Sequence, residues 1–254
     1  MRKLIALVAV VLWLTGCQSA PRDTVTQFST IDAVLAGAYD GQMSLGELRR
    51  HGDFGIGTFH ALDGEMILLD GVFYQVRADG VVARPEDSVL TPFASVVSLR
   101  PECVTLIAQA TDFAAFRART DAAVPNLNNF CAVKAVGRFS SVKVRSVPAQ
   151  KKPYPPLVEV TKNQSVFTAR DIRGTLVGFR TPDFGKGVNV PGYHIHFLSE
   201  DRAFGGHVLD FTMEEGSIQL DYCPKLFLIL PEAGDFGKIN LGVDRTMELE
   251  KAEK

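Results

Sequence analysis

Apolar residues run unbroken from Leu4 to Leu14 and afterwards come only in short groups. Those eleven residues fall short of the ~20 that a spanning helix needs. Thr30 to Ala38 and Ser44 to His51 read as short helices, and Ser44 with Glu47 three residues on has the form of a capping box. From Phe54 the pattern shortens. Strand-like apolar runs alternate with Asp63-Gly64, Asp70-Gly71 and Asp79-Gly80. Gly and Asp tolerate the positive φ of tight turns, so a β-meander is predicted over Gly55 to Ala83. Val96 to Leu99 is a further strand, Thr111 to Ala122 a helix with Thr111 as its cap, and Ala132 to Val147 a strand.

Pro148 to Pro156 breaks this order. Prolines at 153, 155 and 156 exclude a helix interior, and a domain boundary is placed there. Strands resume at Thr175–Arg180, Tyr193–Leu198, His207–Met213, Ser217–Tyr222 and Leu226–Leu230, and Arg245 to Lys254 forms a charged helix or tail. Short strands with few, segregated helices predict an α+β fold. It would comprise two subdomains, 26–150 and 151–254, built on antiparallel or mixed sheets.

Composition adds exclusions. Of 254 residues, 46% are hydrophobic and 22% charged, an ordinary globular balance. Twenty-seven Lys and Arg against 29 Asp and Glu give a formal charge of −2, with no cation excess to engage a phosphate backbone. Met1-Arg2-Lys3 before the apolar run makes a secretory signal. Leu14-Thr15-Gly16-Cys17 resembles the bacterial lipobox. The resemblance implies a signal over 1–16, a diacylated Cys17, a tether over 17–25 and an exported protein anchored to the cell envelope. An ordinary signal peptide with an incidental Cys17 is the alternative. Loss of Arg2 and Lys3 takes the formal charge from −2 to −4. Cys103, Cys131 and Cys223 then remain, odd in number and without a C-x-x-C pair, so at most one bridge can form and buried thiols are expected.

Three of the five histidines fall within fourteen residues, in Tyr193-His194-Ile195-His196-Phe197 and Gly205-Gly206-His207. Side chains alternate along a strand, so His194 and His196 share one face, while Tyr193, Ile195 and Phe197 take the other. A hairpin turning at Asp201-Arg202 sets His196 opposite His207 and His194 opposite Leu209. Facing residues have Cβ atoms roughly 4.5–5.5 Å apart, so three imidazoles can converge on one divalent ion. Three histidines without a fourth protein ligand are the donor set of a catalytic zinc with open positions. His51 and His60 have no such partners.

The wider pattern resembles the α-acetolactate decarboxylase family. The likeness runs through Gly55-Ile56-Gly57-Thr58-Phe59, Leu62-Asp63-Gly64-Glu65-Met66, Thr91-Pro92-Phe93-Ala94 and Val144-Arg145-Ser146-Val147-Pro148. It continues through Lys152 to Leu157, Gly174 to Phe179, Val190 to Phe197 and Gly205 to Leu209. The resemblance implies decarboxylation of 2-acetolactate to acetoin at a Zn2+ held by His194, His196 and His207. Loss of carbon dioxide from a 3-keto acid needs an electron sink, and a Lewis-acidic ion supplies one, so a metal-stabilised enediolate is the expected route. The resemblance also implies active-site roles for Glu65, Arg145 and a C-terminal Glu, with Glu253 ahead of Glu248 and Glu250, a substrate contact at Thr58, and a homodimer. Arg145 would grip the substrate carboxylate, and Glu65 or Glu253 would deliver the proton. A lipobox is not part of the family pattern. Small domains related to plant AT-hook-associated proteins share the H-x-H and Gly-Gly-His pattern, so a lipid-anchored metal-binding or oligomerisation module is a rival reading. A zinc hydratase or hydrolase is a second.

Overall fold

The computed structural model describes residues 22–253. The expected signal sequence over 1–16 and the expected lipidation site Cys17 lie outside the described residues. In chain order the strands are β1 (Thr24–Phe28), β2 (Met43–Ser44), β3 (Phe54–Thr58), β4 (Glu65–Leu69), β5 (Val72–Val76), β6 (Val82–Ala83), β7 (Leu90–Thr91), β8 (Ala94–Val97), β9 (Cys103–Ile107), β10 (Thr111–Asp112), β11 (Phe130–Ser146), β12 (Ser165–Thr181), β13 (Gly192–Ser199), β14 (Gly205–Cys223) and β15 (Lys225–Ile229). The helices are α1 (Ile31–Leu35), α2 (Leu45–Leu48), α3 (Phe113–Ala123), α4 (Leu157–Val160) and α5 (Thr246–Ala252).

Two sheets carry the fold. A seven-stranded sheet runs β15-β1-β8-β3-β4-β5-β6. All its pairs are antiparallel except β1 with β15. The predicted meander is β3 to β6, and its Asp70-Gly71 turn has both residues at positive φ, the geometry that keeps a two-residue hairpin in register. In the second sheet β11 pairs with β12 and β14, β12 with β13, and β13 with β14. Four strands thus close on themselves like a small barrel.

The apolar faces explain how the sheets meet. Phe54, Ile56, Ile67, Leu69, Tyr74 and Val76 of the first sheet pack on Phe130, Ala132, Val177, Phe179 and Leu198 of the second. The far face of the first sheet is covered by Leu45 and Leu48 of α2. Inside the second sheet, Phe139, Ile195, Phe197 and Phe211 gather around Phe116 of α3. Among the described residues no helix is long and apolar enough to cross a membrane.

Several expectations need correction. The boundary near residue 150 does not separate the sheets, because β11 precedes it yet belongs to the second sheet, and β15 returns to the first. Sheet partners are chosen by matching apolar faces across the whole chain, and the prolines mark only a connection. The cap of α3 is Asp112, whose carboxylate accepts from the Ala115 amide at 2.8 Å, while Thr111 pairs with Met213. Ser44 does cap α2, accepting from the Glu47 amide at 3.2 Å. Cys131 and Cys223 are buried thiols, Cys103 is half-buried, and none of the three is bridged.

Candidate active site

The site is the polar end of the layer between the sheets. On β3 and β4 the alternation that sends Ile56 and Ile67 into that layer also sends Thr58 and Glu65 there. From the second sheet β13 contributes His194 and His196, and β14 contributes His207. Tyr193, Ile195 and Phe197 go to the opposite face, as the alternation requires. His196 lies opposite His207, the expected register. His194 does not meet Leu209. Pairing of β13 with β14 ends at His207, which lies across from Arg145 of β11, and His194 is left beside Phe179 of β12. Gly206 permits this crossing. Its φ is +140°, and a Cβ there would sit 2.6 Å from the Arg145 carbonyl oxygen.

The three imidazole rings have centroids 5.1–5.4 Å apart. All three are buried, and one nitrogen from each lies within 4.8 Å of the others. Burial holds His194 down to about 3, and His196 and His207 well below the usual imidazole range, so the rings are neutral. The His196 Nδ1 lies 2.8 Å from the Met66 carbonyl oxygen. A carbonyl only accepts, so Nδ1 carries the hydrogen and Nε2 presents its lone pair. That Nε2 and the Nδ1 of His194 are buried without a hydrogen-bond partner. Unpartnered buried nitrogens are costly in a protein interior, and a divalent cation between them would satisfy both.

Charge around the rings supports the same fit. Arg145 is buried, with Nη1 3.5 Å from Glu65 Oε1 and Nη2 3.7 Å from Glu253 Oε1. The remaining carboxylate oxygens face the rings. Glu65 Oε2 is 3.5 Å from His196 Nε2, and Glu253 Oε2 is 3.5 Å from His207 Nε2. With both carboxyls ionised, one arginine against two carboxylates leaves one buried negative charge, which a divalent cation outweighs. Burial pushes Glu65 up to about 7 against the pull of Arg145, and Glu253 is raised for the same reason. A cation at the histidines acts in the opposite direction on both.

Of the C-terminal acids, α5 brings Glu253 into the site. Leu249 and Ala252 anchor this helix in a cluster with Leu157 and Val160 of α4. Glu248 instead pairs with Arg245 at 3.0 Å, and Glu250 is exposed. Thr58 lines the pocket, and its hydroxyl donates to the Gly64 carbonyl at 2.8 Å, so it also fixes the turn leading to Glu65. His60 and His51 stand apart. His60 Nδ1 accepts from the Gly41 amide at 3.0 Å, and the His51 ring lies beside Phe227. The other half of the pocket is apolar, lined by Ile31, Val34, Leu62, Phe93, Val147 and Leu157. Nothing in the sequence separates these wall residues from ordinary core, and only the folded chain brings them to the pocket.

A family model described as alpha-acetolactate decarboxylase matches residues 25–243. The alpha-acetolactate decarboxylase of Methanosarcina mazei is 47% identical over 232 residues, 91% of this chain and 81% of that protein. That of Methylococcus capsulatus is 45% identical over 229 residues, 90% and 88% of the two chains. The crystal structure of alpha-acetolactate decarboxylase from Bacillus subtilis strain 168 superposes with a TM-score of 0.89 at 38% identity, covering 91% of this chain and 99% of that one. Sequence and architecture agree along nearly the whole described chain, and the protein belongs to the alpha-acetolactate decarboxylase family.

Proposed function

We propose that the chain converts 2-acetolactate to acetoin and carbon dioxide, with zinc as the ion held by His194, His196 and His207. The observation that carries this reading is the convergence of three neutral, buried imidazoles, one buried arginine and two carboxyls on a single pocket. When bound, the ion supplies Lewis acidity to the ketone oxygen next to the bond that breaks. Arg145 binds the substrate carboxylate through its planar fork, and its Nε lacks a partner within the protein. The bond between the α-carbon and the carboxylate breaks, carbon dioxide departs, and the electron pair stays behind as an enediolate. A proton delivered to one face of that carbon completes acetoin and fixes its chirality. Glu65 is the first candidate donor and Glu253 the second, since they flank the site from opposite sides of Arg145.

Purified protein is expected to contain about one zinc per chain and to release acetoin and carbon dioxide from 2-acetolactate. Full activity in metal-free His194→Ala protein overturns the reading. Export on a lipid anchor at Cys17 is proposed from the lipobox resemblance, and the mass of the N-terminal peptide from membrane fractions tests it. A homodimer is proposed from the family resemblance and is tested by sedimentation of the mature chain.

A further inference from the structure

We propose that Leu62 sets the size of the alkyl substituent that the site accepts on the substrate's α-carbon. The proposal rests on the decarboxylase reading above. The pocket has two chemically distinct halves. Histidines, Arg145, Glu65 and Glu253 form one, and an apolar wall forms the other. A 2-hydroxy-3-keto acid divides in the same way. Its carboxylate, hydroxyl and ketone seek the polar half, which turns its alkyl groups toward the wall.

Leu62 differs from the rest of that wall in its backbone. Ala61 has φ 61° and ψ 23°, and Leu62 follows with φ 57°. Two consecutive non-glycine residues in the left-handed region are strained, and such strain persists only where the surroundings impose it. Here they do. The Ala61 amide donates to the Tyr39 carbonyl at 2.8 Å, and the Ala61 carbonyl accepts from the Gln150 amide at 2.7 Å. The Leu62 amide donates to the Phe59 carbonyl at 2.9 Å, and its own carbonyl accepts from the Gly64 amide at 2.7 Å. These bonds pin the residue on the segment joining Thr58 to Glu65, both of which line the pocket. Ile31, Val34 and Leu157 reach the wall from helices with no such constraint. The strained segment therefore holds one apolar side chain, 2% exposed, in the same pocket as the acid proposed to deliver the proton.

The test compares kcat/KM for 2-hydroxy-3-keto acids bearing methyl, ethyl or propyl at the α-carbon, with zinc content and thermal midpoint measured on each protein. Leu62→Ala is expected to raise the propyl-to-methyl ratio by ~10-fold or more, the scale of one or two methylenes in an apolar pocket. Leu62→Phe is expected to lower the ethyl-to-methyl ratio. Binding of the unreactive alcohols, in which the ketone is reduced, should shift in the same order. If Leu62→Ala does not fold, Leu62→Val, one methylene smaller, carries the test with an expected shift of about 10-fold, the low end of that scale. Ratios unchanged within about twofold in folded, zinc-loaded variants overturn the proposal and leave Leu62 as packing. Failure of the unmodified protein to turn over the methyl substrate overturns the decarboxylase reading instead.

Discussion

Replacing Arg145 with Met tests the electrostatics of the site most directly. The guanidinium lies 3.5 Å from one buried carboxylate and 3.7 Å from another. At an effective dielectric of ~20 each separation corresponds to about 4–5 kcal/mol of attraction. Desolvation offsets much of it, and loss of one partner from a buried pair costs about 3–5 kcal/mol overall. Arg145→Met should therefore lower stability by that amount. Adding Glu65→Gln removes one stranded charge, so the double variant should be more stable than the sum of the single effects by at least about 1 kcal/mol. Catalysis should change in a characteristic way. The substrate carboxylate loses its charge as it becomes carbon dioxide, so arginine holds the ground state more strongly than the transition state. A charge-assisted contact of about 1.5–3 kcal/mol then predicts KM raised roughly 10- to 100-fold, with kcat unchanged or somewhat higher and kcat/KM falling by less than KM rises. The assays are steady-state acetoin release, metal analysis and urea unfolding. Unchanged KM in folded, zinc-loaded Arg145→Met protein would refute the assignment of Arg145, and strictly additive stabilities would refute the buried coupling.

Other expectations follow from the same geometry. Glu65→Gln should keep zinc and lose turnover, and loss of zinc on metal analysis would make Glu65 a ligand or a structural group instead. Removing residues 246–254 should lower activity as far as Glu253→Gln or further, because α5 brings no other acid into the pocket; an active truncated chain would exclude Glu253 from the chemistry. Chelation should lower the thermal midpoint of the unaltered protein but not of His194→Ala, since only a folded site gains stability from its ion. Asp221 gives a pH signature. Burial raises its carboxyl from 3.8 to about 6, so the folded state holds a proton there that the unfolded state has released. Its stabilising effect is full below about 3.8 and is lost as pH rises through 6. Asp221→Asn should thus gain on the order of 1–3 kcal/mol at pH 7 and flatten the slope between those values; parallel pH profiles of the two proteins in urea unfolding would contradict this.

Much of the site was legible because it rests on local rules. Strand alternation put His194 and His196 on one face, and the two glycines before His207 marked the return strand that meets His196. Ser44 and the Asp-Gly turns could likewise be read from a few neighbouring residues. What could not be read depends on distant partners. Cys103 to Ile107 pairs along an edge of β14 with Val104 and Leu106 left exposed, so although its β-branched residues favour extended backbone, its partner could not be read from the sequence. The left-handed backbone at Ala61 is held by Tyr39 and Gln150, well removed in the chain. Resemblance alone pointed to Glu65, Arg145 and Glu253, which look like turn, strand and tail residues until packing buries them around one another.

The parallel pairing of β1 with β15 carries a consequence for how the molecule is made. Thr24 lies beside Lys225, so the first strand waits for about 200 further residues before one of its edges is covered. Contacts of such long range slow folding and leave strand edges open in the meantime. The last element to arrive, α5, brings Glu253. A chain emerging from the ribosome therefore cannot complete its pocket until Glu253 is out, and a product interrupted before it would carry the three histidines without the second carboxylate.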